Sequence, residues 1–175
     1  YDVEHRIIRP NGEIFIVQEL GKVETDAAGE AVRLHGTVQD ITEKVKVQEE
    51  IRLLNTVLRE STNIVFITGR DDRIEYVNSR FESVTGYSAD EVIGQSPEVM
   101  SSGYLSKQDL IEIRETTLKG QMWRGRVRNR TKQGGYYWVN SLVSPIKNSR
   151  GEVANLLTIQ EDITKTIAAE EQVKY

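Results

Sequence analysis

The chain has 175 residues, of which 38% are hydrophobic and 29% are charged, a composition typical of a globular protein with one domain of ordinary size and part of another. The absence of cysteine excludes disulfides, thiolate metal sites, cysteine nucleophiles and cysteinyl adducts of a cofactor. The net charge of −4 gives no electrostatic reason to expect nucleic acid as a partner, and no apolar run reaches the roughly 18 residues of a membrane-spanning helix.

Residues 1–42 repeat the end of a longer segment further along the chain. When each residue is aligned with the one 122 positions later, Gly12 pairs with Gly134, and the triplet Asp40-Ile-Thr42 pairs with Asp162-Ile-Thr164, without a gap. Only the second copy is complete, so we expect residues 1–42 to be the C-terminal strands of a truncated domain. These strands have no visible second layer and should pack poorly by themselves.

A linker helix is predicted at residues 43–60. Val47, Ile51, Leu54 and Leu58 follow one another at steps of four, three and four residues, which is a heptad stripe. Two heptads are too few to separate a coiled coil from a helix that packs on the sheet of the next domain, so both interpretations stay open. In either case the helix connects the two copies.

Residues 61–164 are predicted to form a complete α+β domain. A hairpin at 63–78 is followed by a short helix that begins with a capping box, Ser88–Glu91, and by a second helix over Ser106–Leu118. Strands follow near 122–131, 135–147 and 152–162, and a further helix starts at residue 165. Because this order has no βαβ alternation, we expect a five-stranded antiparallel sheet with short helices on one face, flanked by linker helices.

Several short motifs of this segment occur together in one known family. They are Ile74–Asn78 followed by Phe81, Thr85–Gly94, Trp123–Gly125, Lys132–Gly134 and Asp162–Thr164. Together they resemble PAS domains, the sensory modules common in bacterial signalling proteins, whereas each motif alone is weak and is more simply explained by the demands of the fold. Both Asp-Ile-Thr triplets stand where a strand must become a helix, and Asp and Thr are good helix N-caps.

The resemblance implies a domain organisation. Residues 61–164 would be a complete PAS domain, 1–42 the C-terminal part of another, 43–60 a linker helix and 165–175 the start of an exit signalling helix. It also implies a cytoplasmic signal-transduction protein whose output domain, of the histidine kinase or nucleotide cyclase type, lies C-terminal to these residues.

The alternation of residues in one strand predicts which of its faces points inward. Every second residue from Arg124 to Arg130 is arginine, and arginines are seldom buried unpaired. We therefore expect Trp123, Val127 and Asn129 to point inward. A polar Asn129 among apolar neighbours then needs a partner, which could be a backbone group, a water or a ligand.

The segment 129–138, together with Gln160, resembles the flavin-binding PAS domains, both the light-oxygen-voltage photoreceptors and redox-sensing regulators. The resemblance implies that Asn129 and Gln160 contact the ring of FAD or FMN, with Trp123 and Val139 also at the cofactor site. The amides of Asn and Gln offer the paired donors and acceptors that the polar edge of the ring requires.

Two positions depart from the flavin-binding pattern. The second asparagine of the family is Val139 here, with Asn140 one residue late and so on the opposite face of the strand. Pro97 lies in the segment where photoreceptors carry their adduct cysteine, which excludes photochemistry through a cysteinyl adduct.

Other chemistry is disfavoured. Residues 60–175 contain no histidine, which makes haem unlikely, and His5 and His35 are most simply ordinary strand residues. No pattern of carboxylates and histidines indicates a metal site or a catalytic pair, so we expect no enzyme activity.

Two hypotheses of function follow. The first is a sensory and dimerisation fragment of a larger bacterial protein, with a core filled by its own side chains and a homodimer formed through the linker helix and the outer sheet face. Leu157 and Ile159 would lie on that outer face if Gln160 points inward, leaving apolar surface to be covered. The alternative is a flavin-loaded redox sensor in which Asn129 and Gln160 contact the ring.

Overall fold

The computed structural model describes residues 1–172 and has two compact units, Tyr1–Thr56 and a second that begins at Val57. In the first unit, β1 (Asp2–Ile8), β2 (Ile14–Thr25) and β3 (Ala31–Asp40) form an antiparallel sheet in the order β1-β2-β3. Every residue of β1 and β3 is exposed, as expected for a sheet that carries no second layer within the described residues. Helix α1 (Thr42–Arg59) follows and has no buried residue.

The second unit has the predicted α+β architecture. Its sheet has the order β5-β4-β8-β7-β6 with every neighbouring pair antiparallel, which confirms the predicted five-stranded antiparallel sheet. The elements, in chain order, are β4 (Ile64–Gly69), β5 (Ile74–Val77), α2 (Ser79–Thr85), α3 (Ala89–Val92), a 3-10 helix (Pro97–Met100), α4 (Lys107–Leu118), β6 (Trp123–Arg130), β7 (Tyr136–Lys147), β8 (Val153–Asp162) and α5 (Thr164–Gln172). The remainder of the predicted exit helix, residues 173–175, lies outside the described residues.

The strands of the two units pair in the same register at positions 122 residues apart. Val17 of β2 pairs with His5 and with Asp40. Val139, which is 122 positions after Val17, pairs with Val127 and Asp162, which are 122 positions after His5 and Asp40. The register shift near the end of the β2–β3 pairing also recurs at the equivalent place between β7 and β8. The repeat is therefore a repeat of backbone geometry and not only of sequence.

The core of the second unit lies between the sheet and its short helices. Phe81 of α2 is fully buried and packs edge-on against Phe66 of β4, with ring centroids 5.8 Å apart. The predicted capping box of Ser88 and Glu91 is present at the start of α3, and a second one at Ser106 begins α4. These caps fix where the helices start against the sheet.

The Asp-Ile-Thr triplet joins the sheet to the following helix. The Asp162 Oδ1 atom accepts from the Thr164 backbone N–H at 3.0 Å and from its hydroxyl at 2.6 Å. The Thr164 hydroxyl oxygen accepts from the Trp138 N–H of β7 at 2.9 Å, and the Ile163 N–H donates to the Trp138 carbonyl at 2.8 Å. The first unit has the same four bonds among the residues 122 positions earlier, with distances that agree within 0.1 Å. The triplet begins a helix as predicted, and its threonine also ties that helix to β7.

Candidate ligand-binding site

A cavity of about 450 Å³ lies inside the second unit, between the sheet, the 3-10 helix and α4. Its sheet wall comes from β4, β6, β7 and β8, and its other wall includes Met100, Leu110 and Ile113. The volume falls in the range of small-molecule sites. The expectation that the core is filled by its own side chains is therefore not met at this place.

The cavity wall on the sheet is unusually polar for a domain interior. Five polar side chains on this inner face are at most 7% exposed, and all of them line the cavity. They are Thr68, Asn129, Ser141, Thr158 and Gln160. Since buried polar groups normally have hydrogen-bond partners, a wall of this composition favours a polar occupant.

Asn129 and Gln160 meet on this wall. The Asn129 Nδ2 atom donates to Gln160 Oε1 at 3.5 Å, and Gln160 Nε2 donates to the Ser141 hydroxyl at 3.4 Å. Both bonds are at the long limit, and each amide has two donor hydrogens and an acceptor oxygen. Much of the hydrogen-bonding capacity of the pair is thus unused at the cavity surface.

Tyr137 lies beside this polar pair but is not part of the cavity lining. Its hydroxyl donates to the Met100 sulfur at 3.6 Å and also interacts with Asn129. Burial raises the pKa of Tyr137 to about 12, an effect that the hydrogen bond with Asn129 partly opposes. The phenol is thus buried beside the Asn129 amide.

The structure brings three of the four predicted site residues to the cavity. Asn129, Gln160 and Trp123 line it, whereas Val139 is fully buried in the hydrophobic cluster and is not part of the lining. Asn140 points to the opposite face, where it donates to Glu161 at 3.4 Å, as its position in the strand predicts.

Sequence reasoning missed three polar residues of the wall. Ser141 could have been found, because it is two residues after Val139 and lies opposite Gln160 in the sheet. Thr68 and Thr158 carry no such local signal, since threonine is common in strands for its shape alone.

A family model described as a PAS domain matches residues 62–165. The chain belongs to the PAS domain family. The match lies within the second unit, which contains the cavity.

Curated relatives of this PAS protein are regulators and receptors by name. It is 28% identical to a nitrogen fixation regulatory protein of Klebsiella pneumoniae, over 73% of this chain and 26% of that protein. It is 30% identical to an aerotaxis receptor of Escherichia coli strain K12, over 67% of this chain and 23% of that protein. The chain thus spans about a quarter of the length of these relatives.

Solved structures show the same fold. A PAS domain of an HTR-like protein from Haloarcula marismortui has a TM-score of 0.61 and 20% identity, covering 69% of this chain and 98% of that one. An RNA-binding light-oxygen-voltage receptor has a TM-score of 0.63 and 12% identity, covering 99% of this chain and 81% of that one. At these identities the likeness extends to the fold only.

Charged side chains surround the cavity of the PAS domain on the side of α4. Arg70, Lys107 and Arg114 are basic, whereas Asp72 and Glu98 are acidic. Burial raises the pKa of Asp72 above its ordinary value, and a hydrogen bond from the Ser96 hydroxyl at 3.1 Å opposes that rise. The cavity thus combines an apolar floor, a polar sheet wall and a charged rim.

Metal-binding clusters and membrane-spanning helices are both absent from residues 1–172. No cluster of three or more His, Asp or Glu side chains suited to a metal ion occurs in this part of the chain. Of the helices that the structure describes, none has the length and apolar character needed to cross a membrane.

Proposed function

We propose that residues 61–164 are the ligand-binding sensory domain of a larger bacterial signal-transduction protein. The observation that carries this proposal is the pair of buried, incompletely bonded amides, Asn129 and Gln160, on the wall of a cavity of about 450 Å³. The names of the regulatory and receptor relatives support the same role. The output would come from a kinase or cyclase domain C-terminal to α5, in the cytoplasm, and the PAS domain itself would not be catalytic.

The ligand class that this site fits best is a flavin. A flavin offers a flat apolar ring whose polar edge changes its hydrogen-bonding groups on reduction. Phe66, Met100 and Val127 supply apolar cavity surface, while Asn129 and Gln160 supply donors and acceptors on one side of it. The amides would bind and orient the ring edge, and Ser141 would hold the Gln160 amide in place.

The position of Gln160 provides a route from the cavity to the exit helix. Gln160 is near the end of β8, two residues before Asp162, whose carboxylate holds Thr164 at the start of α5. A rotation of the Gln160 amide would shift the end of β8 and hence the helix start. The proposal therefore assigns ligand sensing to Gln160 and signal output to α5.

The test of ligand binding is the visible absorption of the purified chain after incubation with FMN or FAD and removal of free flavin. The wild-type chain should retain a flavin spectrum, whereas Asn129→Leu should retain much less because a buried group of the ring loses its partner. Asn140→Leu is the matched control, since Asn140 lies on the opposite face of β7. A colourless wild-type chain, or equal retention in both variants, would refute the flavin proposal.

Gln160→Leu tests the relay separately from binding. This variant keeps similar bulk, and the two long hydrogen bonds that it loses are worth at most about 0.5 to 1.5 kcal/mol each, so the domain should fold. Hydrogen exchange of α5 should differ between oxidised and reduced flavin in the wild type and should not differ in the variant. A normal redox response in the variant would show that Gln160 is not the relay.

We further propose that the first unit is the C-terminal part of a second PAS domain, on the basis of its shared register and shared Asp-Ile-Thr geometry. The positions equivalent to Asn129 and Gln160 are Ile7 and Val38. The amide pair is thus absent there, and only the complete domain would hold a ligand of this kind.

Dimerisation is the second candidate role, and exposed apolar surface favours it. Val47, Ile51 and Leu54 of the α1 stripe are each more than half exposed. On the outer sheet face, Leu157 and Ile159 are only half-buried. We propose that a second copy of the chain covers these surfaces.

A further inference from the structure

Strand β6 carries a row of four arginines on its outer face. Arg124, Arg126 and Arg130 are exposed and Arg128 is half-buried. None of the four forms an ion pair with a carboxylate anywhere in residues 1–172. Adjacent members lie about 6.6 Å apart along the strand, because alternate residues of a strand share a face.

The fold does not require these arginines. The equivalent positions on β1 of the first unit are Asp2, Glu4, Arg6 and Ile8, which occupy the same register in the same kind of sheet. A row of four like charges on neighbouring positions also costs free energy through mutual repulsion. The row is therefore better explained by a negatively charged partner than by stability.

Two aromatic rings hold the middle of the row in place. The Arg128 guanidinium lies 4.9 Å from the centroid of the Tyr136 ring and 5.8 Å from that of Trp138, both on the neighbouring strand β7. The Arg128 Nε atom is buried and has no hydrogen-bond partner within the described residues. The Arg128 side chain thus lies against the aromatic rings of β7.

The same strand is an edge of the sheet. β6 is the last strand in the order β5-β4-β8-β7-β6. The Ser102 hydroxyl donates to the Arg128 carbonyl, so this carbonyl points away from β7. Backbone groups alternate in direction along a strand, so those of Arg124 and Arg126 also point to the edge.

Most of this edge has no pairing strand in the part of the chain that the structure describes. Ser101 forms a single bridge with Asn129 at the end of the strand and leaves the positions of Arg124 and Arg126 open. Arg124 and Arg126 therefore each combine a cationic side chain with a backbone N–H and a backbone C=O that have no pairing strand. A partner that satisfies both must carry negative charge and a peptide backbone.

We propose that the β6 edge binds an extended acidic peptide, which adds to the sheet as a sixth strand with carboxylates at alternate positions. Directly opposite residues of an antiparallel pair share a face, so carboxylates opposite Arg124 and Arg126 would lie on the outer face beside the guanidinium groups. Backbone hydrogen bonds to the β6 edge would supply affinity, and the carboxylates at alternate positions of the peptide would supply specificity.

The charges and backbone favour a peptide over a nucleic acid. A nucleic acid could neutralise the arginines but would leave the edge N–H and C=O groups unpaired. The net charge of −4 on the chain also opposes the long-range attraction of a polyanion. Nucleic acid binding is therefore the principal competing outcome of the test.

The probe is a fluorescent, end-capped peptide of alternating glutamate and threonine, with binding to the 175-residue chain followed by anisotropy. A peptide of the same composition with its glutamates in one block has the same charge but the wrong spacing, and it should bind at least about tenfold more weakly. Arg124→Glu combined with Arg126→Glu should lower the affinity of the chain for the alternating peptide by more than about tenfold. Arg150→Glu, in the exposed turn between β7 and β8, is the control for a charge reversal away from this edge and should change binding less than about twofold.

Hydrogen exchange separates strand addition from charge attraction alone. The backbone amides of Arg124 and Arg126 should be protected when the alternating peptide is bound. If the double glutamate variant loses its native tryptophan fluorescence, the milder Arg124→Gln and Arg126→Gln pair takes its place, with the same expected direction.

Several outcomes would overturn the proposal. These are no binding below roughly 1 mM, equal binding of the alternating and block peptides, an unchanged exchange rate of the two amides, an equal effect of Arg150→Glu, or tighter binding of a single-stranded oligouridylate than of the alternating peptide.

Discussion

Asn78 and Asn129 are buried to a similar degree but have opposite hydrogen-bonding states. The Asn78 Oδ1 atom accepts from the Val65 and Phe81 N–H groups, and its Nδ2 atom donates to the Leu58 and Asn63 carbonyls, all at 3.0 Å. Protein groups thus use its full capacity. Asn129 instead faces a cavity with a single long bond to Gln160 and a contact with Tyr137. The first asparagine is structural, and the second is available to a ligand.

This difference predicts different effects of the same substitution. Asn78→Leu leaves two buried and two partly buried backbone groups without a partner and should lower the free energy of unfolding by about 3 kcal/mol or more, whereas Asn129→Leu should lower it by less than about 1 kcal/mol. Urea unfolding followed by tryptophan fluorescence measures the second unit alone, because both tryptophans, Trp123 and Trp138, belong to it. Similar losses in the two variants would contradict the assignment.

Asp72 provides a pH-dependent prediction. Because burial raises the pKa of Asp72 in the folded state, the folded state binds the proton more tightly than the unfolded state, and the ionised carboxylate costs stability at neutral pH. Asp72→Asn should therefore be more stable than the wild type at pH 7, by less than about 1 kcal/mol since the group is half exposed. The left-handed backbone of this residue, with φ of 62°, also suits asparagine.

The advantage of Asp72→Asn should shrink as the pH falls through the raised pKa of Asp72 and should vanish below its ordinary value of 3.8. Urea midpoints measured across this pH range check the sign. An advantage that grows on acidification would show that Ser96 and Arg114 stabilise the carboxylate more than burial opposes it.

At the scale of elements, alternation and turn residues predicted most of the second unit. The three C-terminal strands were expected near 122–131, 135–147 and 152–162 and were found within about a residue of those limits, because inward and outward residues alternate clearly in each. The arginine row predicted the inward face of β6, and with it the positions of Trp123 and Asn129 at the cavity.

The cavity itself could not be predicted from local patterns. Its volume depends on how far α4 and the 3-10 helix stand from the sheet, which is decided by contacts between residues far apart in the chain. Thr68 and Thr158 become part of a polar wall only because β4 and β8 pair in a particular register. The bond from the Trp138 N–H to the Thr164 hydroxyl likewise joins residues that no local motif connects.

The hydrogen bonds of the Asp-Ile-Thr triplet predict which side chain stabilises the start of the exit helix α5. Thr164→Val keeps the shape of the side chain but leaves the Trp138 N–H unpaired, at a cost of about 1 to 3 kcal/mol. If this loss is confined to local opening, amide exchange in α5 should become at least about fivefold faster while the central strands change little.

The first unit supplies the matched control for this variant. Thr42 makes the same bonds at the start of α1, so Thr42→Val should speed exchange in α1 and leave α5 unchanged. Equal exchange in α5 for the wild type and Thr164→Val would show that the hydroxyl does not hold the helix.

At the scale of the whole molecule, we expect a homodimer at tens of micromolar, a concentration at which a micromolar interface is largely formed. Ile51→Asp combined with Leu54→Asp removes apolar surface from the α1 stripe and should yield a monomer in light scattering, with the tryptophan fluorescence unchanged. Glu50→Asp, on the same exposed helix, controls for the helix propensity of aspartate. A dimer that survives the double substitution would place the interface elsewhere.

The matching hydrogen bonds of the triplets that begin at Asp40 and Asp162 have a consequence for how a chain of this kind gains domains by gene duplication. A duplicated gene segment whose boundaries fall at the same point of each triplet would create a junction whose four hydrogen bonds already exist in its parent. Recombination at this point therefore adds or removes whole sensory units without the need to evolve a new connection. The position of the triplet, between a complete sheet and a new helix, makes it a natural crossover site, and chimeras spliced there should fold more often than chimeras spliced inside a strand.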